Sequence, residues 1–298
     1  MPDIGASVLA RLKIKAKEAG RPVSLYLQLF CQEEFLRRVW MSQYADNLVL
    51  KGGMFIYTLT NFESRPTVDV DFLLRQLPND VQAIQKVVDE ILAVDTGNDY
   101  IRLTSKGFEA ISPQRKYNGI SFQLIGQIKN TRTPFSVDLG VGDIIIPHAE
   151  QRSIPLQLPG FTTPVIKTYS LESTIAEKYD AMLQWLGLTS RMKDFYDIYY
   201  LSTMFNFDGA RLKQAVYSTL VTRATTYTSE SLDQVIALGQ DEDIQKLWRL
   251  YLRRAKLPEI PFDMVIEQID TFLRPVWQAV INQEELQAQW QAEHNRWE

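Results

Sequence analysis

The sequence has few of the residues that build disulfide frameworks and imidazole-rich metal centres. Its 298 residues include one cysteine, Cys31, and two histidines, His148 and His294. A single cysteine excludes an intramolecular disulfide and a paired-cysteine metal site. Because histidine is so scarce, zinc or iron centres built on imidazole are not expected, and carboxylate oxygens are the expected ligands for any metal.

Long apolar runs and the common nucleotide-binding loops are also missing from the sequence. No run approaches the roughly 20 apolar residues that cross a bilayer, and residues 1–20 contain no continuous apolar core of a secretory signal. No P-loop motif occurs, which excludes a P-loop kinase or ATPase. We therefore expect a cytoplasmic protein with no membrane partner.

Bulk charge does not indicate a nucleic-acid-binding protein. The 32 Lys and Arg against 36 Asp and Glu give a net charge of −4. Residues 1–165 hold 18 basic and 17 acidic residues, whereas residues 166–298 hold 14 and 19. A polyanion would therefore have to be bound by metal ions or by local basic patches.

Two local basic patches occur, and both have two interpretations. The first is Arg11, Lys13, Lys15 and Lys17, and the second is Arg249, Arg253, Arg254 and Lys256. Either patch is a solvated helix face or a contact with RNA phosphates that rising salt would weaken.

The order of predicted elements indicates two domains. Two helices lead into a short strand, a helix and a second strand, and three further β-type stretches end near residues 144–147. From about residue 165 the helical pattern is almost continuous. We predict an α+β domain over residues 1–165, in which helices flank a mixed sheet, and an all-helical bundle over residues 166–298.

The most informative segment is a glycine turn followed by a strand that carries two aspartates. Asp69 and Asp71 lie two residues apart in a β-type run, so both carboxylates point to one face of the strand. Such a pair repels itself unless a cation lies between the two groups. Gly52 and Gly53 precede a helix, where backbone N–H groups can approach phosphate oxygens. Asp138, in a later strand-like run, is the candidate third carboxylate.

Taken separately, these features are common in proteins of any function. An Asp-x-Asp pair is usually solvated, and a Gly-Gly pair is usually a turn. Together, a strand, a glycine turn, a helix and a strand with paired aspartates form the set used in two-metal phosphoryl or nucleotidyl transfer.

The same residues resemble the AbiEii/AbiGii-type toxin nucleotidyltransferases of the DNA polymerase β-like superfamily. The first family block matches Leu50 to Gly53, Arg65, Thr67, Asp69 and Asp71. The second block matches Glu177, Lys178, Arg191, Lys193, Asp194 and Asp197. The resemblance spans about residues 10–205.

The resemblance implies a polymerase β-like nucleotidyltransferase fold and a Mg²⁺-dependent transfer of a nucleotide from an NTP, with two metal ions. It implies that Asp69 and Asp71 bind the metal, and we expect Asp138, the candidate from the strand pattern, to be the third ligand. The implied catalytic residues are Asp69, Asp71, Lys178 and Asp194. The implied nucleotide-binding residues are Lys51, Gly52, Gly53, Arg65, Thr67, Arg191 and Lys193. The implied partners are an NTP, an RNA acceptor such as the 3′ end of tRNA, and an antitoxin of winged-helix type.

The second block also has a physical interpretation of its own. Lys178 lies mid-helix, and Arg191, Lys193 and Asp194 open the next helix across a turn at residues 187–190, so that the helix ends can converge. Cations placed there would neutralise phosphates, and Asp194 would orient a lysine or accept a proton. The alternative is a surface charge network in which the aspartates stabilise the first helical turn.

Three functions remain open from the sequence. The first is a toxin that modifies RNA. The second is a nucleotidyltransferase that modifies a protein or a small molecule such as an antibiotic. The third is a catalytically silent regulatory homologue.

Overall fold

A computed structural model describes residues 3–111, 119–184 and 191–298. The chain separates into two compact units. The first comprises Met1–Gly142 and Glu150–Thr168, and the second comprises Asp143–Ala149 and Tyr169–Glu298. That residues 1–165 and 166–298 form separate domains stays a prediction.

The first unit is built on a seven-stranded sheet. Its strands are β1 (Leu48–Lys51), β2 (Asp69–Leu74), β3 (Ile101–Ala110), β4 (Gly119–Ile128), β5 (Thr131–Gly140), β6 (Glu150–Ser153) and β7 (Val165–Thr168). Its helices are α1 (Ile4–Glu18), α2 (Val23–Met41), α3 (Gly52–Leu59) and α4 (Val81–Leu92). The strand order is β3-β4-β5-β2-β1-β7-β6.

This sheet is mixed, as predicted. Strand β2 is parallel to β5 and antiparallel to β1, and β1 is in turn parallel to β7. The core lies on one face of the sheet, where apolar side chains such as Phe72 and Val137 are fully buried. Cys31 is buried there on α2, and its burial raises the pKa of the thiol to about 12, which agrees with a packing role.

The expectation that β structure ends near residues 144–147 is wrong. Strands β6 and β7 follow, and β7 pairs with the interior strand β1 through Leu50 and Thr168. Strand β1 is equally short but begins with three apolar residues, whereas β6 is entirely polar and β7 has two apolar residues, so neither shows a strand pattern in the sequence. Their place in the sheet is fixed by long-range pairing.

The second unit is mainly helical. Its helices are α5 (Leu171–Gln184), α6 (Met192–Met204), α7 (Gly209–Thr222), α8 (Ser231–Ala237), α9 (Glu242–Ala255) and α10 (Phe262–Asn282). A small antiparallel sheet adds β8 (Phe207–Asp208), β9 (Gln289–Gln291) and β10 (Arg296–Trp297). Trp290 is fully buried, and Trp297 stacks on Phe272, so both residues pack on the helices.

Residues 143–149 belong to the second unit because a buried arginine holds them there. Arg223 lies 2.9 Å from Asp143, 3.1 Å from Glu177 and 2.9 Å from Asp180. Ser173 Oγ also accepts a hydrogen bond of 2.8 Å from the backbone N–H of Ile146. This arrangement ties a segment that precedes β6 to helices α5 and α7.

Among the described residues, none of the helices combines the length and the hydropathy that a membrane span requires.

Candidate functional site

Four polar side chains lie in one row across the sheet of the first unit. Strand register places Lys51 opposite Asp71, Asp71 opposite Asp138, and Asp138 opposite Ser121. Residues that pair in register project from the same face of a sheet, and neighbouring strands lie ~4.8 Å apart. The row therefore gathers a cation, two carboxylates and a hydroxyl from four separate strands.

The two aspartates of β2 lie on the open face of that strand, as the alternation predicts. Asp69 is exposed and Asp71 is partly exposed, while Val70 and Phe72 are fully buried. Asp138 is also partly exposed, and the residues on either side of it are buried. The three predicted carboxylates therefore share one accessible sheet face.

Gly52 brings the start of helix α3 against the Asp71 carboxylate. Its φ angle is +66°, in the left-handed region, and a Cβ added there would lie less than 3.0 Å from Asp71 Oδ2 and Cγ. Only glycine combines this backbone conformation with so close an approach. An acidic group at a helix N-terminus is also stabilised by the helix dipole.

Gly53 also lies close to two other residues of the first block, Arg65 and Thr67. A Cβ at Gly53 would lie 2.8 Å from Thr67 Oγ1 and 3.2 Å from Arg65 Nη2. Arg65 and Thr67 are both buried, with 8% of each exposed. The structure thus brings the glycines, Arg65, Thr67 and Asp71 together, and it shows that Arg65 and Thr67 pack beneath the turn. Their contact with a nucleotide stays a prediction.

Ser121 is a site residue that the sequence analysis missed. Its hydroxyl donates a hydrogen bond of 2.6 Å to Asp138 Oδ1. Nothing local in the β4 sequence distinguishes this serine, because its importance comes from the pairing of β4 with β5. A correct strand alignment would have revealed it, since the residue opposite Asp138 is then fixed.

The three carboxylates are not gathered into one ligand group. Within the described ranges, no set of three or more His, Cys, Asp or Glu side chains is placed to hold a metal ion. Asp71 lies against Gly52 and Asp138 is bonded to Ser121. The donor chemistry nevertheless fits Mg²⁺, which prefers carboxylate oxygens and keeps several of its waters. The assignment of the metal to Asp69, Asp71 and Asp138 stays a prediction.

The second predicted block forms a buried ion cluster between helices α5 and α6. Lys178 Nζ lies 3.2 Å from Asp194 Oδ1 and 2.5 Å from Asp197 Oδ2. Arg191 Nε lies 2.6 Å from Asp194 Oδ2. Side-chain exposure is 9% for Lys178, 2% for Asp194 and 1% for Asp197, so this is not the exposed surface network considered as an alternative.

Charges around Asp194 keep it ionised despite its burial. Burial by itself raises the pKa of Asp194, but the charges of Lys178 and Arg191 and the Arg191 hydrogen bond outweigh it and hold the pKa below its ordinary value. Arg191 is partly exposed and Lys193 is exposed at the start of α6. The turn predicted at residues 187–190 lies outside the described residues.

Glu177, the neighbour of Lys178 in the family block, has a different position. It pairs with Arg223, which no motif identified, and it contributes to the raised pKa of the buried Tyr169, whose main cause is burial. Glu177 therefore belongs to the arginine cluster that holds residues 143–149, and its neighbour Lys178 belongs to the ion cluster.

Comparison with known protein families identifies the chain. The family model described as the nucleotidyl transferase AbiEii toxin of type IV toxin–antitoxin systems matches residues 34–275. The chain belongs to the AbiEii family. It is therefore a nucleotidyltransferase of a family of type IV toxins, and the family implies an NTP substrate and an antitoxin partner. The matched range contains both sequence blocks and most of the second unit.

Two solved structures from Helicobacter pylori resemble the AbiEii chain distantly. One is JHP933, which is 12% identical over 87% of this chain and 94% of its own, with a TM-score of 0.47. The other, named as a candidate nucleotidyltransferase, is 12% identical over 86% and 96%, with a TM-score of 0.44. No curated protein matches the sequence. The family membership alone carries the assignment.

Proposed function

We propose that this AbiEii protein transfers a nucleoside monophosphate from an NTP to the 3′ end of an RNA, with tRNA as the acceptor, and releases pyrophosphate. The reaction depends on Mg²⁺, with two ions, and takes place in the cytoplasm. In this proposal the transfer is the toxic activity, and an antitoxin of winged-helix type restrains it.

The observation that supports this proposal is the row of carboxylates beside the glycine turn. Asp71 and Asp138 lie in register on adjacent parallel strands, and Asp69 lies two residues along on the same face. Helix α3 begins at Gly52, next to Asp71, so the backbone N–H groups of its first turn lie beside this row. A site that combines carboxylates with a helix N-terminus suits a metal-bound triphosphate, because it binds both the cations and the phosphate oxygens.

Asp69, Asp71 and Asp138 would hold the metal in this proposal. When bound, Mg²⁺ neutralises the charge of the phosphates and polarises the reacting phosphorus. Ser121 holds Asp138 in place through its 2.6 Å hydrogen bond. The rigid strand backbone under the row keeps the spacing of the carboxylates constant.

Four basic side chains of the two sequence blocks bind the phosphates in this proposal. Lys51 extends over the sheet, and its Nζ lies 4.0 Å from the position of a Cβ at Gly140. We assign Lys51, Lys178, Arg191 and Lys193 to the triphosphate. Asp194 orients Lys178, or accepts the proton that the attacking hydroxyl gives up as its oxygen bonds to the α-phosphorus and the bond to pyrophosphate breaks.

A labelling experiment with a matched control tests the proposal. Purified protein is incubated with tRNA, Mg²⁺ and each α-labelled NTP in turn, and the labelled species is identified on a gel. We expect label in tRNA with the wild type and loss of at least 100-fold with Asp71→Asn, because the carboxylate that faces the helix N-terminus is neutralised. Asp99→Asn removes an exposed acid of the same unit and should retain full activity.

Other outcomes would contradict particular parts of the proposal. Label in a protein or a small molecule after incubation with a cell lysate would replace the RNA acceptor. Full transfer by Asp71→Asn would refute the metal assignment. If calorimetry detects no binding of any of the four NTPs with Mg²⁺ present, the chain has no triphosphate site.

A further inference from the structure

Helix α9 carries a dense group of basic side chains that the proposed reaction does not use. Arg249, Arg253, Arg254 and Lys256 occur within eight residues, and all four are exposed. We call them the α9 basic cluster. The opposite face of the helix is buried through Ile244, Trp248 and Leu252. The helix is thus anchored on one side and presents cations on the other.

The α9 basic cluster gathers four exposed cations on one helix end, and in the part of the chain that the structure describes none of them has an acidic partner. Within the described residues, none of the four forms an ion pair or a side-chain hydrogen bond. At other helical positions an acidic residue three or four places away forms an ion pair, as Asp243 does with Lys246 and Asp270 does with Arg274. The sequence around the cluster offers no acid at helical spacing to Arg249, Arg253 or Arg254.

Helix stability does not account for this arrangement. Cations in the last turn of a helix interact favourably with its dipole, which explains Arg253 and Arg254. Arg249 lies outside the last turn, and it is four residues from Arg253, where like charges repel. The cluster also lies in the more acidic unit, which has 13 Lys and Arg against 20 Asp and Glu. A local concentration of unpaired positive charge in an acidic unit creates a positive surface potential that attracts a negatively charged partner.

The other basic patch, on α1, has a structural explanation in part. On α1, Arg11 donates a 2.6 Å hydrogen bond to the carbonyl of Pro159, and Lys15 donates one of 2.7 Å to the carbonyl of Gln157. Half of that patch therefore fastens α1 to the loop that precedes β7. The α9 basic cluster has no comparable task.

We propose that the α9 basic cluster binds the phosphate backbone of the acceptor RNA. This inference rests on the proposed function, because it supplies the surface by which a near-neutral chain holds a polyanion. RNA is favoured over a protein partner since protein interfaces exclude charge from their centre, whereas nucleic-acid interfaces are strongly positive. The contact follows the backbone and gives affinity without base preference.

The salt dependence of RNA binding tests this proposal directly. The full-length chain is titrated into fluorescein-labelled tRNA without NTP, and the anisotropy is followed between 50 and 300 mM KCl. The slope of log K against log salt concentration is negative, and each lost phosphate contact reduces its magnitude by about 0.7 to 0.9. For Arg249→Gln, Arg253→Gln and Arg254→Gln combined, we expect this magnitude to fall by about 2 and the affinity at 100 mM salt to fall up to about 100-fold.

The matched control removes the same charge from exposed cations of the first unit that lie outside both basic patches. Arg75, Lys86 and Lys106 are all exposed, and their combined change to glutamine should leave the slope within about 0.5 of the wild type. Circular dichroism and urea unfolding establish that both triple variants are folded. If the control lowers the slope as much as the α9 variant does, binding reflects net charge and the proposal is wrong.

The labelling experiment separates this proposal from the proposed function. If the wild type labels tRNA and the α9 variant binds it with an unchanged slope, the surface is refuted and the transfer activity stands. If the wild type labels no RNA but its tRNA binding depends on the α9 basic cluster, the surface stands and the acceptor assignment fails. Unchanged RNA binding with loss of antitoxin binding would also overturn the proposal, because the partner would then be an acidic protein.

Discussion

Replacing Lys178 with methionine separates the contribution of this side chain to folding from its proposed role at the triphosphate. Lys178 lies between Asp194 and Asp197 at 3.2 and 2.5 Å, and all three groups are buried. Methionine keeps the length of the side chain and removes its charge. The two carboxylates then lose the ammonium group that stabilises them in the interior of the helical unit.

The magnitude of the effect follows from the burial of the cluster. Removing one partner from a buried ion pair typically costs about 3–5 kcal/mol, because the remaining charge stays desolvated. Arg191 still pairs with Asp194 at 2.6 Å, so we expect the lower end, about 3 kcal/mol of unfolding free energy. With a urea m-value of about 2 kcal/mol/M, the midpoint would fall by roughly 1.5 M.

Tryptophan fluorescence is a suitable assay because five of the six tryptophans follow residue 169 in the sequence. Urea unfolding followed by this signal therefore reports mainly on the second unit. The companion variant replaces Lys178 with Met, Asp194 with Asn and Asp197 with Asn. The triple variant leaves no buried charge at these three positions, and Arg191, whose side chain is 42% exposed, stays solvated without Asp194. It should therefore recover most of the lost stability.

The two variants together distinguish the possible roles. If the triple variant is stable but transfers no nucleotide, the cluster acts in the reaction as well as in the fold. If it is stable and active, the cluster is structural and the catalytic assignment of Lys178 and Asp194 is wrong. A loss below 1 kcal/mol in Lys178→Met would refute the reasoning about buried charge itself.

The pH dependence of stability gives an independent test of the ion cluster around Lys178. The folded-state pKa of Asp194 lies below its ordinary value of 3.8. The ionised group therefore stabilises the folded state above that value, and the stabilisation is lost as the pH falls through the lower, folded-state pKa. Between pH 5 and pH 3, the wild type should lose more stability than the triple variant does.

Two further predictions concern the first unit. Ser121→Ala removes the hydrogen bond to Asp138 and should lower kcat about 10-fold with little change in KM for the NTP. Ser121→Thr keeps the hydroxyl and should retain most of the wild-type rate. Equal rates in the wild type and both variants would show that Ser121 has no part in the site. Gly52→Ala should cost about 2 kcal/mol or more of stability, because a left-handed backbone and the Asp71 carboxylate both oppose a Cβ, and a urea midpoint equal to that of the wild type would contradict the geometry at this turn.

The sequence predicted the local elements of the fold better than their long-range pairing. The helix that contains Lys178 and the strand that contains Asp69 and Asp71 were recognisable from periodicity, since each pattern repeats within a few residues. Strands β6 and β7 were missed because β6 is entirely polar and β7 has only two apolar residues, so neither shows a strand pattern. The attachment of residues 143–149 to the helical unit was also missed, because it depends on Arg223, some 80 residues away in the chain.

The candidate site shows the same division. Spacing alone predicted that Asp69 and Asp71 share a face, and the structure agrees. Spacing could not show that Arg65 lies buried beneath Gly53, or that Ser121 bonds to Asp138, since both contacts join residues from different elements. The family block drew attention to Glu177 together with Lys178, although the two side chains belong to different ion clusters.

The charge balance of the two blocks limits how the protein can bind a triphosphate. In the second block, Lys178 lies between two buried carboxylates and Arg191 pairs with one of them. The block holds three cations, Lys178, Arg191 and Lys193, and three acids, Glu177, Asp194 and Asp197. Much of the positive charge of Lys178 and Arg191 is therefore already neutralised inside the protein. In the first unit, the row adds Lys51 but also two aspartates. Because the protein's own cations are largely balanced, we expect the proposed metal ions on the carboxylate face to compensate most of the charge of a bound NTP. Removal of Mg²⁺ should accordingly lower the rate of nucleotide transfer more than replacement of any single lysine or arginine does.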